Sequence, residues 1–202
     1  MIYEIALAIK SETSEENLNK IKEIVNSTLA TVSGEILINE DWGVKTFAQA
    51  LDNKFTRGRY FYFMYKSDTT INSELERRFR INEDIIRYLT VRLGTDADQE
   101  NLVKAHNSPN NPAQFGDRDE DPEKDRRSFA KKRSCWFSAN KVEPDWKNPR
   151  TYSWLVNEFG KISPARVTGL RPYYQRMATS AIKRGRCMGL ISFLSNRTAY
   201  RD

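Results

Sequence analysis

Histidine occurs once in this 202-residue chain, at His106, and cysteine twice, at Cys135 and Cys187. Two cysteines so far apart make no disulfide framework, and a zinc site would show paired cysteines or clustered histidines. Reduced thiols and no metal are the expectation. Catalytic parts are equally scarce. No histidine, cysteine pair or phosphate-cradling glycine loop lies near a candidate acid or base, so the chain is expected not to be an enzyme. It should need no cofactor and take no small-molecule substrate. No apolar run approaches the roughly 20 residues of a membrane span, so no membrane partner is expected. The start, MIYEIALAIK, lacks both a basic signal-peptide n-region and the arginine-rich look of a transit sequence. Use in the compartment of synthesis is the expectation.

The remaining scarcity is local. Residues 126–202 carry 17 Lys+Arg but 4 Asp+Glu, a net of +13, whereas residues 1–125 carry 16 against 23, a net of −7; together these return the chain's +6. An even mixture would not divide this way. An acidic piece is joined to a strongly basic one, and the basic piece is where a polyanion should bind.

What is present in the acidic piece is strong periodicity. IYEIALAI reads as a buried strand. In TSEENLNKIKEIVNSTLATVSG, Thr13 and Glu16 have capping-box spacing. Leu18, Ile21, Val25, Leu29 and Val32 share one helical face, and Gly34 stands where a C-terminal glycine belongs. GEILINEDWGVKTFAQAL is a second strand, NKFTRGR a basic loop and YFYFMYK a third strand. Ile71, Leu75 and Phe79 stripe a second helix, and IIRYLTVRL alternates as a last strand. The order β-α-β-β-α-β predicts an α+β, ferredoxin-like domain over residues 1–95, with two helices on one face of a four-stranded sheet. On the third strand one ring set fills the core, and the other needs a different cover. Because this half is acidic, protein docking is the expected cover, with stacking on RNA bases as the alternative.

Residues 96–125, with prolines and a dense acidic run in DRDEDPEKD, are expected to be an acidic flexible linker. Those carboxylates have no rigid scaffold to hold a metal for hydrolysis.

Residues 126–202 are expected to form a small basic, mostly α-helical module. RRSFAKKRSCWF alternates cations with rings, as a phosphate-tracking arm would. Asn148, Pro149 and Gly160 have the places of helix cap, first position and exit, with Tyr152, Leu155, Val156 and Phe159 as the apolar stripe. After the turn-rich KISPARVTGL comes PYYQRMATSAIKRGRCM. At 100° per residue it sets Tyr174, Met177, Ala178, Ala181, Gly185 and Met188 against Gln175, Arg176, Thr179, Lys183, Arg184 and Arg186. That second arc has cations and no acids. Surface helices ordinarily mix signs, so phosphates are the better explanation. No helix-turn-helix or zinc-finger pattern suggests duplex DNA, and rings interleaved with arginines suit folded RNA.

Two resemblances follow. YEIALAI, WGVKTFA…GRYFYF and ELERRFRINEDIIRYLTVRL, within residues 1–95, resemble the bacterial small-subunit ribosomal protein six family, whose fold is ferredoxin-like. GKISPARVTG, Tyr174-Gln175-Arg176 and AIKRGR at 181–186 resemble the bacterial small-subunit ribosomal protein eighteen family over residues 127–200. Some members of the latter hold zinc on paired cysteines, which this chain lacks; Gly185 and Cys187 also depart from the usual larger residues. The resemblances imply a fusion of two proteins that bind one another on the central domain of small-subunit ribosomal RNA. The partners would be that RNA and neighbouring small-subunit proteins, in a cytoplasmic, ribosome-associated protein of bacterial or organelle-encoded origin.

The expected RNA contacts are Lys161, Arg166, Arg171, Arg176, Lys183, Arg184 and Arg186, with Lys131, Lys132 and Arg133 as an arm and Arg57 and Arg59 as secondary contacts. The expected interface between modules is Tyr60, Tyr62, Met64 and Tyr88 against Tyr152, Leu155 and Phe159. Two other classes compete: an RNA-processing enzyme with a basic guide module, and an adaptor whose basic half recognises acidic proteins.

Overall fold

Eight consecutive buried residues, Ile2 to Ile9, make β1 (Ile2–Lys10) the middle of a sheet covered on both faces. The computed structural model describes residues 1–52, 54–107, 135–195 and 198, which fall into two units, Met1–Asn107 and Ser108–Asp202.

In the first unit, β1 is followed by α1 (Glu15–Ala30), β2 (Glu35–Leu51), β3 (Phe55–Lys66), α2 (Thr70–Ile81), β4 (Ile85–Gly94) and α3 (Gln99–Asn107). The strands are antiparallel in the order β2-β3-β1-β4. This is the expected ferredoxin-like arrangement. Tyr3, Ile5, Leu7 and Ile9 of β1 and Phe61, Phe63 and Tyr65 of β3 form one core with Leu18, Ile21, Val25 and Leu29 of α1 and Ile71, Leu75 and Phe79 of α2.

Local details differ from the expectation. The cap of α1 is Ser14, whose hydroxyl accepts from the Asn17 N–H at 3.4 Å, rather than Thr13. Ser33, at φ 53, takes the left-handed position beyond α1. Gly34 instead donates its N–H to the Leu29 carbonyl, and a Cβ on it would come within 3.1 Å of that oxygen. The loop expected at 53–59 is mostly strand, because Arg57, Gly58 and Arg59 pair with Thr46, Lys45 and Val44.

Residues 96–107 correct the linker expectation. The Thr95 hydroxyl and backbone N–H both donate to the Asp98 carboxylate around a 3-10 turn, and α3 follows directly. The rest of the expected linker, 108–125, lies outside the described residues.

In the second unit, short pieces surround one long helix. They are α4 (Trp136–Asn140), two 3-10 turns at Pro149–Thr151 and Ser153–Leu155, α5 (Ala165–Thr168) and α6 (Pro172–Cys187). The helix expected over 148–160 does not form. Asn148 does cap, accepting from the Arg150 N–H at 3.1 Å, but the chain is extended again by Val156, which bridges to Ile162. The reason is the Tyr152 ring, wholly buried, whose hydroxyl donates to the Trp146 carbonyl at 2.7 Å. That hydroxyl lies 2.5 Å from where a Cβ on Gly185 would stand, so α6 meets Tyr152 at a bare backbone. Ala178, Ala181, Ile182 and Gly185 are the buried face of α6. Ile182 was not among the residues expected there.

Candidate nucleic-acid interface

The cationic side of the second unit is held on α6 and on the loop leading into it. Pro164 starts α5 and Gly169, at φ 75, ends it, turning the chain sharply into Arg171 and Pro172 at the head of α6. The Gln175 side-chain amide donates to the Ser163 carbonyl at 3.0 Å, fastening that loop to the helix. Burial pushes the nearby Cys135 thiol up, yet the Arg171, Ser138 and Phe137 N–H groups around it hold it below its ordinary value. Arg166 and Arg171 are thus mounted on a tied loop rather than a loose one.

Lys161, Arg166, Arg171, Arg176 and Lys183 are exposed, and Arg184 is half-buried. Within the second unit, among the described residues, the ion pair seen is Lys147 with Asp145 at 2.9 Å. None of those six cations has a carboxylate within 4.0 Å among the described residues. Uncompensated charge on a solvent face is what a phosphate backbone would neutralise.

Arg186 differs from its neighbours. It is half-buried, donates to the Gly160 carbonyl and lies over the Phe193 ring at 5.7 Å, and burial lowers its pKa. It is a tie between α6 and the turn at 160 as much as a surface charge. Lys131, Lys132 and Arg133 fall outside the described residues. In the first unit Arg57 is exposed, but Arg59 is committed to Asp41 at 2.7 Å and Glu15 at 2.9 Å. Those two carboxylates raise its pKa; in return, despite burial, Arg59 and the Gly43 N–H hold Asp41 below its ordinary value.

The residues expected at a module interface separate. Tyr60, Tyr62 and Met64 do lie on the sheet face away from α1 and α2, opposite Ala8, Ala6 and Glu4. Tyr62 donates to Glu4 at 2.9 Å and is flanked by Trp42 at 5.2 Å and by a parallel His106 ring at 5.0 Å. Glu40 joins them: Trp42 Nε1 donates to one carboxylate oxygen at 2.9 Å, and His106 Nε2 is 2.8 Å from the other. Part of the cover for this face therefore comes from β2 and α3 of the same unit. Tyr88 is a correction. Leu7 is its partner in the register, so it faces the helices and packs on Phe79 at 5.9 Å. Tyr152 and Leu155 are buried, while Phe159 is 77% exposed.

The cluster of Glu4, Glu40, Trp42 and His106 was not anticipated. Glu40 and Trp42, two apart on a strand, were the available signal for it. Phe193 was also missed, because nothing periodic surrounds it.

Comparison with known proteins gives two family matches. Residues 2–92 match Ribosomal protein S6 and residues 140–191 match Ribosomal protein S18. The small ribosomal subunit protein bS6 of Geotalea daltonii is 34% identical over 113 residues, 56% of this chain and 88% of that protein. The bS6 protein of Aquifex aeolicus is 36% identical over 92 residues, 45% of this chain and 83% of its own length. The crystal structure of 30S ribosomal protein S6 from Thermotoga maritima aligns at 28% identity with a TM-score of 0.45, covering 51% of this chain and 96% of that one.

Proposed function

We propose that this chain, which belongs to the bS6 family and carries a Ribosomal protein S18 segment behind it, is a fused pair of neighbouring ribosomal proteins that binds the central domain of small-subunit RNA. Its role is that of a structural constituent of the small ribosomal subunit. The finer reading is that the second unit grips RNA while the acidic first unit faces neighbouring small-subunit proteins. The chemistry is charge neutralisation, not turnover. The chain works in a bacterium or an organelle.

The observation that carries the RNA reading is the row of cations on α6 and its leading loop that lack carboxylate partners among the described residues. If about six phosphates are neutralised, log affinity for a central-domain transcript should fall with log salt at a slope of roughly −4 to −5. A slope near zero would remove the proposal, and magnesium-dependent cleavage of the transcript would favour a nuclease. Fusion has its own check. Protein extracted from purified small subunits should show one mass near 23.5 kDa, and two fragments would mean the modules work apart.

A further inference from the structure

Three large apolar side chains stand in solvent where the turn at 157–161, the end of α6 and residues 193–194 converge: Phe159, Phe193 and Leu194 are 77%, 54% and 73% exposed. Three other rings of this unit, Phe137, Trp146 and Tyr152, are at most 2% exposed, while Tyr173 at the head of α6 is 54% exposed. Exposure of this kind needs a reason.

The convergence is built rather than slack. The Asn157 carboxamide oxygen accepts from the N–H groups of Phe159 at 3.1 Å and Lys161 at 2.7 Å. The Asn157 N–H donates to the Lys161 carbonyl and the Gly160 N–H to the Asn157 carbonyl, both at 2.9 Å. This closes a tight turn with Phe159 near its tip. Gly160, at φ 74, sits directly on the Phe193 carbonyl, which occupies the space a Cβ would need. The Ser192 hydroxyl accepts from the Leu194 N–H at 3.2 Å, ordering the opposing segment. Arg186 then crosses from α6, donating to the Gly160 carbonyl and lying 5.7 Å over the Phe193 ring. Its Nε is buried without a hydrogen-bond partner among the described residues.

Phe193 is backed by a guanidinium and Phe159 projects from the adjoining turn, so two rings are exposed on a cationic ground. Lys161 is exposed next to the turn, and Lys183 precedes Arg186 by one helical step on the same side of α6. Aromatic residues and arginine are common at protein interfaces, but lysine is depleted there, so Lys161 and Lys183 are the feature that favours a polyanion. A polyanion whose bases have flat π faces gains from both features. Glu158, exposed on the same turn, disfavours a phosphate at the tip and offers an acceptor to a base amino group.

We infer that Phe159, Phe193 and Arg186 form a stacking platform for an unpaired RNA base, distinct from the phosphate-neutralising cations of α6. The inference rests on the RNA-binding reading above and adds a base contact to it.

The test uses the full chain and a central-domain transcript of small-subunit RNA in a salt series. Phe159→Ala should weaken binding about 10-fold, as expected for losing one stacked base, while leaving the salt slope unchanged because no phosphate contact is lost. Phe159→Trp should bind as the unaltered chain does. Because Phe159 is 77% exposed, its alanine variant should melt at the same temperature, which separates lost stacking from lost fold. Phe193→Ala should weaken binding by a similar factor. Wild-type affinity in Phe159→Ala, or an equal loss in Phe159→Trp and Phe159→Ala, would overturn the platform and leave the RNA reading standing. Failure of the unaltered chain to bind the transcript would overturn both.

Discussion

The two units use the same basic side chains in opposite ways. In the first, several cations are answered by acids within reach: Arg59 by Glu15 and Asp41, Arg77 and Arg78 by Glu74, Arg87 by Asp52 and Lys66 by Asp96. In the second, Arg166, Arg171, Arg176, Lys183 and Arg184 have no such partner among the described residues. Exposed ion pairs contribute little to stability, so the first pattern is mostly surface accommodation. The second pattern raises self-repulsion and earns nothing within the fold. Its sense lies outside the chain, in a polyanion. A positive net charge therefore says less about function than the local supply of carboxylates does.

The most damaging challenge to this contrast is to remove the unanswered charges. Arg176→Ala, Lys183→Ala and Arg184→Ala together should cost about 10²-fold or more in affinity for the transcript, on roughly 1 kcal/mol or more per charged contact. The salt slope should become shallower by about 2 to 3. Arg77→Ala with Arg78→Ala, in the first unit, should leave affinity within about twofold. Equal losses from both sets, read by fluorescence anisotropy, would erase the distinction between the units.

A smaller effect is expected from how the cationic helix is seated. Gly185→Ala puts a methyl group 2.5 Å from the Tyr152 hydroxyl, which is itself tied to the Trp146 carbonyl. Overpacking of this kind should cost about 1–3 kcal/mol in urea unfolding, with near-ultraviolet circular dichroism reporting on Tyr152 and Trp146. Adding Tyr152→Phe should recover part of the loss by removing the crowded oxygen. No recovery would place the strain elsewhere.

The units also differ in how legible they are. Regular repeats in the first, such as Ile71, Leu75 and Phe79, reveal helices and strands because each buries one face on a shared core. Which face of β4 is inside was not legible, since Tyr88 and Leu89 are both apolar enough to be buried. Register with Leu7 decides it. Residues 96–107 read as linker because their order rests on single contacts, the Asp98 cap and the His106 stack, rather than on periodicity. In the second unit the cationic arc of α6 was legible, as a helix sorts its faces by angle. The false helix at 148–160 had a sound cap and stripe, but the burial of Tyr152 against Gly185 outweighs local preference. Phe159 thus leaves the expected stripe and enters solvent.

The smallest expected effect tests whether the answered cations of the first unit persist in solution. Arg77 and Arg78 each donate to Glu74 at 2.8 Å, and these bonds draw its carboxyl from 4.5 down to about 2. A folded pKa below the unfolded one means that the unfolded state binds the proton more readily. The pairs' contribution is therefore present above pH 4.5 and is lost as pH falls towards 2. The group is open to solvent, so salt should weaken the effect. Carbon-13 titration of the Glu74 carboxyl should give a midpoint well under 4.5 at low salt, rising at high salt and in Arg77→Ala with Arg78→Ala. A midpoint already at 4.5 in the unaltered chain would show that water, not arginine, answers Glu74. The contrast would then rest on the second unit's unanswered cations alone.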